Sequence, residues 1–116
     1  MSIPSRSRAV VFDPQTKSLN VQEIPAAWPK AGEAIIQVEL TTLSPADLEW
    51  NAEFSFIPGH ETLGTILALA DPPPRAFSGE ALAIGDRVTW SRYASCGECF
   101  YCRRRLPQAC ESILEY

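Results

Sequence analysis

The sequence predicts a mainly β fold: an irregular barrel of short strands with few, short helices, followed by a cysteine-rich segment. Three observations carry that prediction. Short apolar runs, alternating with period two or rich in β-branched residues, recur along roughly the first ninety positions. Ten prolines against six glycines mark stiff connections and leave little room for long helices. All four cysteines fall between positions 96 and 110, beyond the point where hydrophobic periodicity ends. A length of 116 residues suits one domain with a single core.

The elements follow in chain order. "SRAVVF" (7–12) is a β-branched run closed by the turn-forming "DPQTK". "SLNVQEI" (18–24) alternates Leu19, Val21 and Glu23 against Asn20, Gln22 and Ile24, so the two runs read as a hairpin. "AAWPKAGE" is a loop. "EAIIQVELTTLS" (33–44) sets Ile36, Val38 and Leu40 on one face and Ile35, Gln37, Glu39 and Thr41 on the other. Its period of two predicts a strand with one buried face. In "SPADLEWNA" (44–52), Ser44 stands at a helix N-cap and Pro45 at the first helical position, which predicts one or two helical turns. "IPGHE" is a turn, "TLGTILALA" (62–70) a strand, "DPPPRAFSGEAL" a stiff excursion, and "IGDRVTW" (84–90) a turn feeding another strand. There is no internal repeat. Several short strands at close spacing are the pattern of a barrel.

Composition excludes some classes of function. Hydrophobic residues at 46% and charged residues at 21% are globular values. Ten basic against fourteen acidic residues give a formal charge of -4, which repels polyanions, so no nucleic-acid partner is expected. The start, "MSIPSRSRAVVF", holds too short an apolar run for a signal-peptide core, and no run approaches the length of a membrane span. The expectation is a cytoplasmic chain with no membrane partner, whose thiols stay reduced.

The cysteines are spaced Cys-x2-Cys-x2-Cys-x7-Cys, at Cys96, Cys99, Cys102 and Cys110. A Cys-x2-Cys pair can bring two sulfurs to about 2.3 Å from a zinc ion, and the loop of seven returns the fourth ligand. Gly97 beside the first ligand relaxes the backbone where the chain must curl. With all four ligands sulfur and no position left for water, such a site is closed and structural. Four thiolates on Zn2+ carry net negative charge, which Arg103, Arg104 and Arg105 can offset. Two disulfides, with three connectivities, are the alternative use of the same residues. A Cys-x2-Cys redox pair would instead open a helix after a strand. A nucleic-acid-binding zinc ribbon would use the same ligands, but it would need a basic face, which this chain lacks outside Arg92 and Arg103–Arg105.

The lobe after "IGDRV", the "GHETLGTI" segment, the opening "AVVFDP" and the "EAIIQVEL" strand together resemble zinc-type alcohol dehydrogenases of the medium-chain dehydrogenase/reductase family. The resemblance runs from about Arg8 to Tyr116. The closing "RRRLPQACESILEY" is similar to a branch of that family proposed to work beside phosphonate catabolism. The resemblance implies a GroES-like β-barrel, here residues 1–116 and incomplete, with a zinc lobe at 92–112. It implies a Rossmann domain binding NAD or NADP, and closing barrel segments, in a longer form; no Gly-x-Gly-x-x-Gly lies between a strand and a helix in these residues. This chain alone is therefore expected to be inactive. The longer form would act on a small-molecule alcohol or carbonyl and self-associate as a homo-oligomer. A stand-alone zinc-stapled interaction module is the alternative.

His60, the single histidine, stands in the family's Gly-His-Glu position, where histidine binds a catalytic zinc. The family's Cys-x-Ser/Thr-Asp pattern reads "SPAD" here, so Ser44 replaces the ligand cysteine and Ala46 the relay hydroxyl. Asp47 and Glu61 remain as groups that could orient His60. A serine hydroxyl stays protonated near neutral pH and is a poor zinc ligand. The expectation is that His60 carries no zinc and bonds to Asp47 or Glu61.

Overall fold

The computed structural model describes residues 3–48 and 53–115. Strands β1 (Arg6–Asp13) and β2 (Ser18–Pro25) form an antiparallel hairpin whose register runs from Arg6 opposite Pro25 to Asp13 opposite Ser18. The turn is set by the Asp13 carboxylate, which accepts the Gln15 amide at 2.8 Å. Strands β3 (Ala34–Thr42), β4 (Glu61–Leu69) and β5 (Arg87–Trp90) form a second antiparallel sheet with β4 in the centre. Short strands β6 (Tyr93–Ala94) and β7 (Leu114–Glu115) pair with each other. The only helical elements among the described residues are three single 3-10 turns, Pro45–Leu48, Cys102–Arg104 and Pro107–Ala109. The fold is mainly β, as the strand periodicity predicts. Among the described residues, no helix is long and apolar enough to cross a membrane.

The core is small and sits where the hairpin, the segment before β4 and β4 itself each contribute a buried face. Val11, Phe12, Ile66 and Ala68 are its buried apolar residues. β4 buries Gly64, Ile66 and Ala68, the alternation expected of a central strand with one face inward. Phe12 is tied to the connecting segment by a backbone bond, its amide donating to the Phe56 carbonyl at 2.8 Å, while the two rings pack at 5.1 Å between centroids. The "IGDRV" turn extends the ladder, with the Ile66 amide donating to the Asp86 carbonyl at 2.9 Å and the Gly85 amide to Ile66 at 2.9 Å.

One local expectation is corrected and another is met within the described residues. The apolar face of β3 is not buried: Val38 is 52% and Leu40 62% exposed. β3 is an edge strand, and register shifts between Ile35 and Ile36 and between Val38 and Leu40 break the simple alternation. Over 44–52 the structure describes one 3-10 turn, Pro45–Leu48; residues 49–52 lie outside the described residues.

Candidate functional site

The cysteine lobe is built by a clasp and two turns. β6 and β7 bring its two ends together, with Tyr93 opposite Glu115 and Ala94 opposite Leu114. Gly97 takes φ +75°, and Arg105 ends the Cys102–Arg104 turn in the left-handed region at φ 61°. These bends bring the four sulfurs of Cys96, Cys99, Cys102 and Cys110 within 4.8 Å of one another. All four cysteines are free, and Cys96 Sγ and Cys102 Sγ are 3.9 Å apart, so the disulfide reading does not describe this structure. Backbone amides already aim at the sulfurs. Cys99 and Glu98 donate to Cys96 Sγ at 3.3 and 3.4 Å, and Cys96 and Ser112 donate to Cys110 Sγ, each at 3.3 Å. Neither lobe turn holds a buried residue.

The sulfurs compete for negative charge. Amides of Cys102 and Glu111 pull the Cys99 thiol down to about 6. Desolvation and the bond to Cys99 push Cys102 up to about 11. Cys110 is lowered, chiefly by the Cys96 amide. Cys99 and Cys110 are shifted toward the thiolate and Cys102 away from it, so a cation among the sulfurs would favour ionising all of them. The arrangement can hold a metal ion. The arginines act on the lobe backbone: Arg103 Nε donates to the Glu98 carbonyl at 2.6 Å and Arg104 to the Phe100 carbonyl at 3.1 Å. The Arg104 guanidinium also lies 3.5 Å from the centroid of the Phe100 ring.

A second polar cluster joins the end of β3 to the start of β4. Asp47, in the Pro45–Leu48 turn, is the one buried charged residue among those described. Its Oδ2 accepts the Ser44 amide at 2.7 Å and the Ser44 hydroxyl at 3.1 Å, and its Oδ1 accepts the Gly59 amide at 2.9 Å. The expected cap is thus inverted: Asp47 caps Ser44, because only the carboxylate has enough acceptor sites for three donors. His60 Nδ1 lies 2.8 Å from Asp47 Oδ1, and His60 Nε2 lies 3.3 Å from Ser44 Oγ. Burial works to raise the Asp47 pKa, but the amides of Ser44 and Gly59, the Ser44 hydroxyl and His60 outweigh it and hold the carboxyl below its usual range. Gly59 must be glycine: its φ is +102°, and a Cβ there would sit 2.5 Å from Thr41 Oγ1.

Asp47 is therefore the carboxylate on His60. Glu61, in contrast, opens β4 on the surface and accepts the Thr42 hydroxyl at 3.0 Å. An open recess of about 870 Å³, lined by Ile36, Ile66, Phe77, Val88 and Trp90 among others, contains none of Ser44, Asp47 and His60. Sequence reasoning missed the Ser44–His60 contact; its only signal was the placing of serine where the resemblance puts a metal ligand.

A small mainly β domain carrying a cluster of four cysteines that could hold a metal ion, and a polar cluster between two strands, defines a class: a GroES-like β domain with a cysteine lobe. Residues 30–116 match the alcohol dehydrogenase GroES-like domain, and the chain belongs to that family. It is similar to an erythritol/L-threitol dehydrogenase of Mycolicibacterium smegmatis, 29% identical over 94% of this chain and 33% of that protein. It is also similar to zinc-type alcohol dehydrogenase B of Aspergillus flavus, 33% identical over 96% of this chain and 26% of that protein. A crystal structure of a short chain alcohol dehydrogenase from E. coli CFT073, solved with NADH, matches with a TM-score of 0.76 and 24% identity over 97% of this chain and 32% of that one. The chain spans about a third of the length of such relatives.

Proposed function

We propose that this chain is the N-terminal catalytic-domain portion of an NAD(P)-linked oxidoreductase acting on a small alcohol or carbonyl, stapled by one structural zinc. The observation that carries the reading is the convergence of Cys96, Cys99, Cys102 and Cys110 within 4.8 Å in a domain of this family. Four sulfurs on short loops suit zinc, and the zinc would cross-link β6, the two lobe turns and β7. Relatives named as alcohol and polyol dehydrogenases support the substrate class, and the NADH bound to the E. coli protein supports the cofactor. In this reading the dinucleotide and the segments closing the barrel belong to a longer form. The apolar edge strand β3 then meets either those segments or a second copy. Placement in the phosphonate-associated branch rests on the resemblance of residues 103–116 alone.

A catalytic zinc does not fit the groups around His60. Ser44 offers a neutral hydroxyl, Asp47 has its oxygens occupied by three protein donors and His60, and Glu61 bonds to Thr42. Among the described residues, only the four cysteines form a cluster with metal-ligand spacing.

Metal analysis of the reduced chain tests the reading. The expected result is one zinc per chain, lost when Cys96 and Cys110 are both replaced by serine; less than half an equivalent would overturn it. Calorimetry with NADH should give no binding to residues 1–116, since no glycine-rich strand-to-helix turn is present to receive a pyrophosphate.

A further inference from the structure

We propose that Ser44, His60 and Asp47 form a metal-free proton relay, in which Ser44 takes the proton of the substrate hydroxyl and His60 stores it. The proposal rests on the oxidoreductase reading above and assigns these three residues the role of proton acceptor during hydride transfer.

The argument is one of hydrogen-bond bookkeeping. Asp47 Oδ1 faces His60 Nδ1 at 2.8 Å, so the carboxylate fixes the proton of a neutral imidazole on Nδ1 and leaves the lone pair on Nε2. That lone pair faces Ser44 Oγ at 3.3 Å. Ser44 has a single hydroxyl proton and two acceptors within reach, His60 Nε2 and Asp47 Oδ2 at 3.1 Å. With a neutral imidazole, one acceptor is always left without it. When His60 gains a proton on Nε2, the ring closes: Nδ1–H donates to Asp47 Oδ1, Nε2–H to Ser44 Oγ, and the Ser44 hydroxyl to Asp47 Oδ2. Accepting a proton therefore adds a hydrogen bond inside the protein.

Asp47 can hold its charge throughout, because the Ser44 and Gly59 amides at 2.7 and 2.9 Å stay on it in both states. The His60 side chain is 24% exposed against 5% for Asp47, so the imidazole side of the ring is the side that solvent, and a substrate, can reach. The other nearby carboxylate, Glu61, is turned to Thr42.

The step balances with a nicotinamide dinucleotide as oxidant. The carbinol C–H bond breaks and its hydride reduces the nicotinamide ring. The substrate O–H proton passes to Ser44 Oγ as the Ser44 proton passes to His60 Nε2, and the carbonyl product leaves. Carbonyl reduction runs the same path backwards. Ser44 is the catalytic residue, since it touches the reacting oxygen. Asp47 is a positioning residue that acts through His60.

Two measurements test this. His60 is the only histidine, so its ring nitrogens give an unambiguous 15N spectrum in the 116-residue chain. At alkaline pH the expected spectrum shows the Nδ1–H form, unchanged by zinc added beyond the equivalent held by the cysteines. A protonated Nε2 in that state, or His60 signals that move with a second equivalent of zinc, would overturn the proposal.

The second measurement is turnover by the family-length protein. Ser44→Ala should lower kcat by about 100-fold or more with little change in KM, as loss of a general acid–base group does. Ser44→Thr, which keeps the hydroxyl, should restore part of it and also controls for folding. Asp47→Asn should lower kcat and convert the His60 spectrum to a mixture of tautomers. Unchanged turnover in Ser44→Ala would sink the relay. A wild-type protein that transfers no hydride while the His60 spectrum stays as expected would instead count against the oxidoreductase reading.

Discussion

Four sulfurs in the lobe converge over turns that bury no side chain, whereas Ser44, Asp47 and His60 meet around a buried carboxylate whose partners are all supplied by the protein. Both clusters gather polar groups at one point. The lobe brings four sulfurs together, an arrangement that could hold a metal ion. The ring hands each oxygen a donor, and no buried side-chain nitrogen or oxygen among the described residues lacks a partner. What separates a metal site from a hydrogen-bonded one is thus the balance of donors to acceptors, more than the closeness of the groups.

The largest expected effect follows from removing the proposed zinc. Structural zinc in small zinc-binding peptides contributes on the order of 10–16 kcal/mol. Chelation should therefore abolish amide-exchange protection across residues 92–112 while β1 to β5 keep theirs. Loss of protection in β4 at the same rate would mean that lobe and sheet are one cooperative unit, and the contrast would fail.

Next in size is Asp47→Asn. It removes a buried charge that collects three donors and His60, and should cost about 2–3 kcal/mol in denaturant unfolding without changing the zinc content. The pH dependence has a definite sign. The Asp47 pKa is lowered in the folded chain, so its stabilisation is fully present above about 3.9, the ordinary Asp value, and is lost as pH falls through the lower folded value. The lobe should fail earlier on acidification, since zinc there competes with protons for four sulfurs. A pH titration followed by zinc release and by the His60 signals should separate the two events. Simultaneous loss would contradict the independence of the clusters.

Smaller again is Gly59→Ala, expected to cost about 1–3 kcal/mol from the left-handed backbone alone, with added crowding against Thr41. The effect should appear in His60 chemical shifts and leave the lobe unchanged. At the bottom of the scale, Glu23→Gln breaks the exposed 3.0 Å pair with Arg6 and should not move the unfolding midpoint measurably.

Much of this was legible in the chain, for reasons that differ by element. The hairpin could be read because "AVVF" and "SLNVQEI" flank a turn whose Asp13 makes the expected local bonds. The lobe could be read because Cys-x2-Cys spacing constrains geometry directly. β6 and β7 could not, since two-residue strands are too short to show a period. The exposure of Val38 and Leu40 was also hidden, because periodicity reports which residues share a face and not what lies opposite. Around His60, sequence offered Asp47 and Glu61 as equal partners. The choice fell to Asp47 because its turn presents the carboxylate to the Gly59 amide, while Glu61 begins a strand beside Thr42. Ser44 was read as a helix N-cap; in the structure its amide and hydroxyl donate to Asp47 and its hydroxyl also lies against His60 Nε2.

The 2.9 Å bond from the Gly59 amide to Asp47 also bears on how relatives of this chain can diverge. It fastens positions 47 and 59 together from within, and the Phe12–Phe56 bridge fastens the same stretch to the hairpin. Between residues 48 and 55 the chain is bounded at both ends by anchors that do not depend on its own length. Lengthening such a closed segment costs little, about 0.6 kcal/mol for each doubling. Insertions and deletions should therefore accumulate there across evolution while the ring itself keeps its shape.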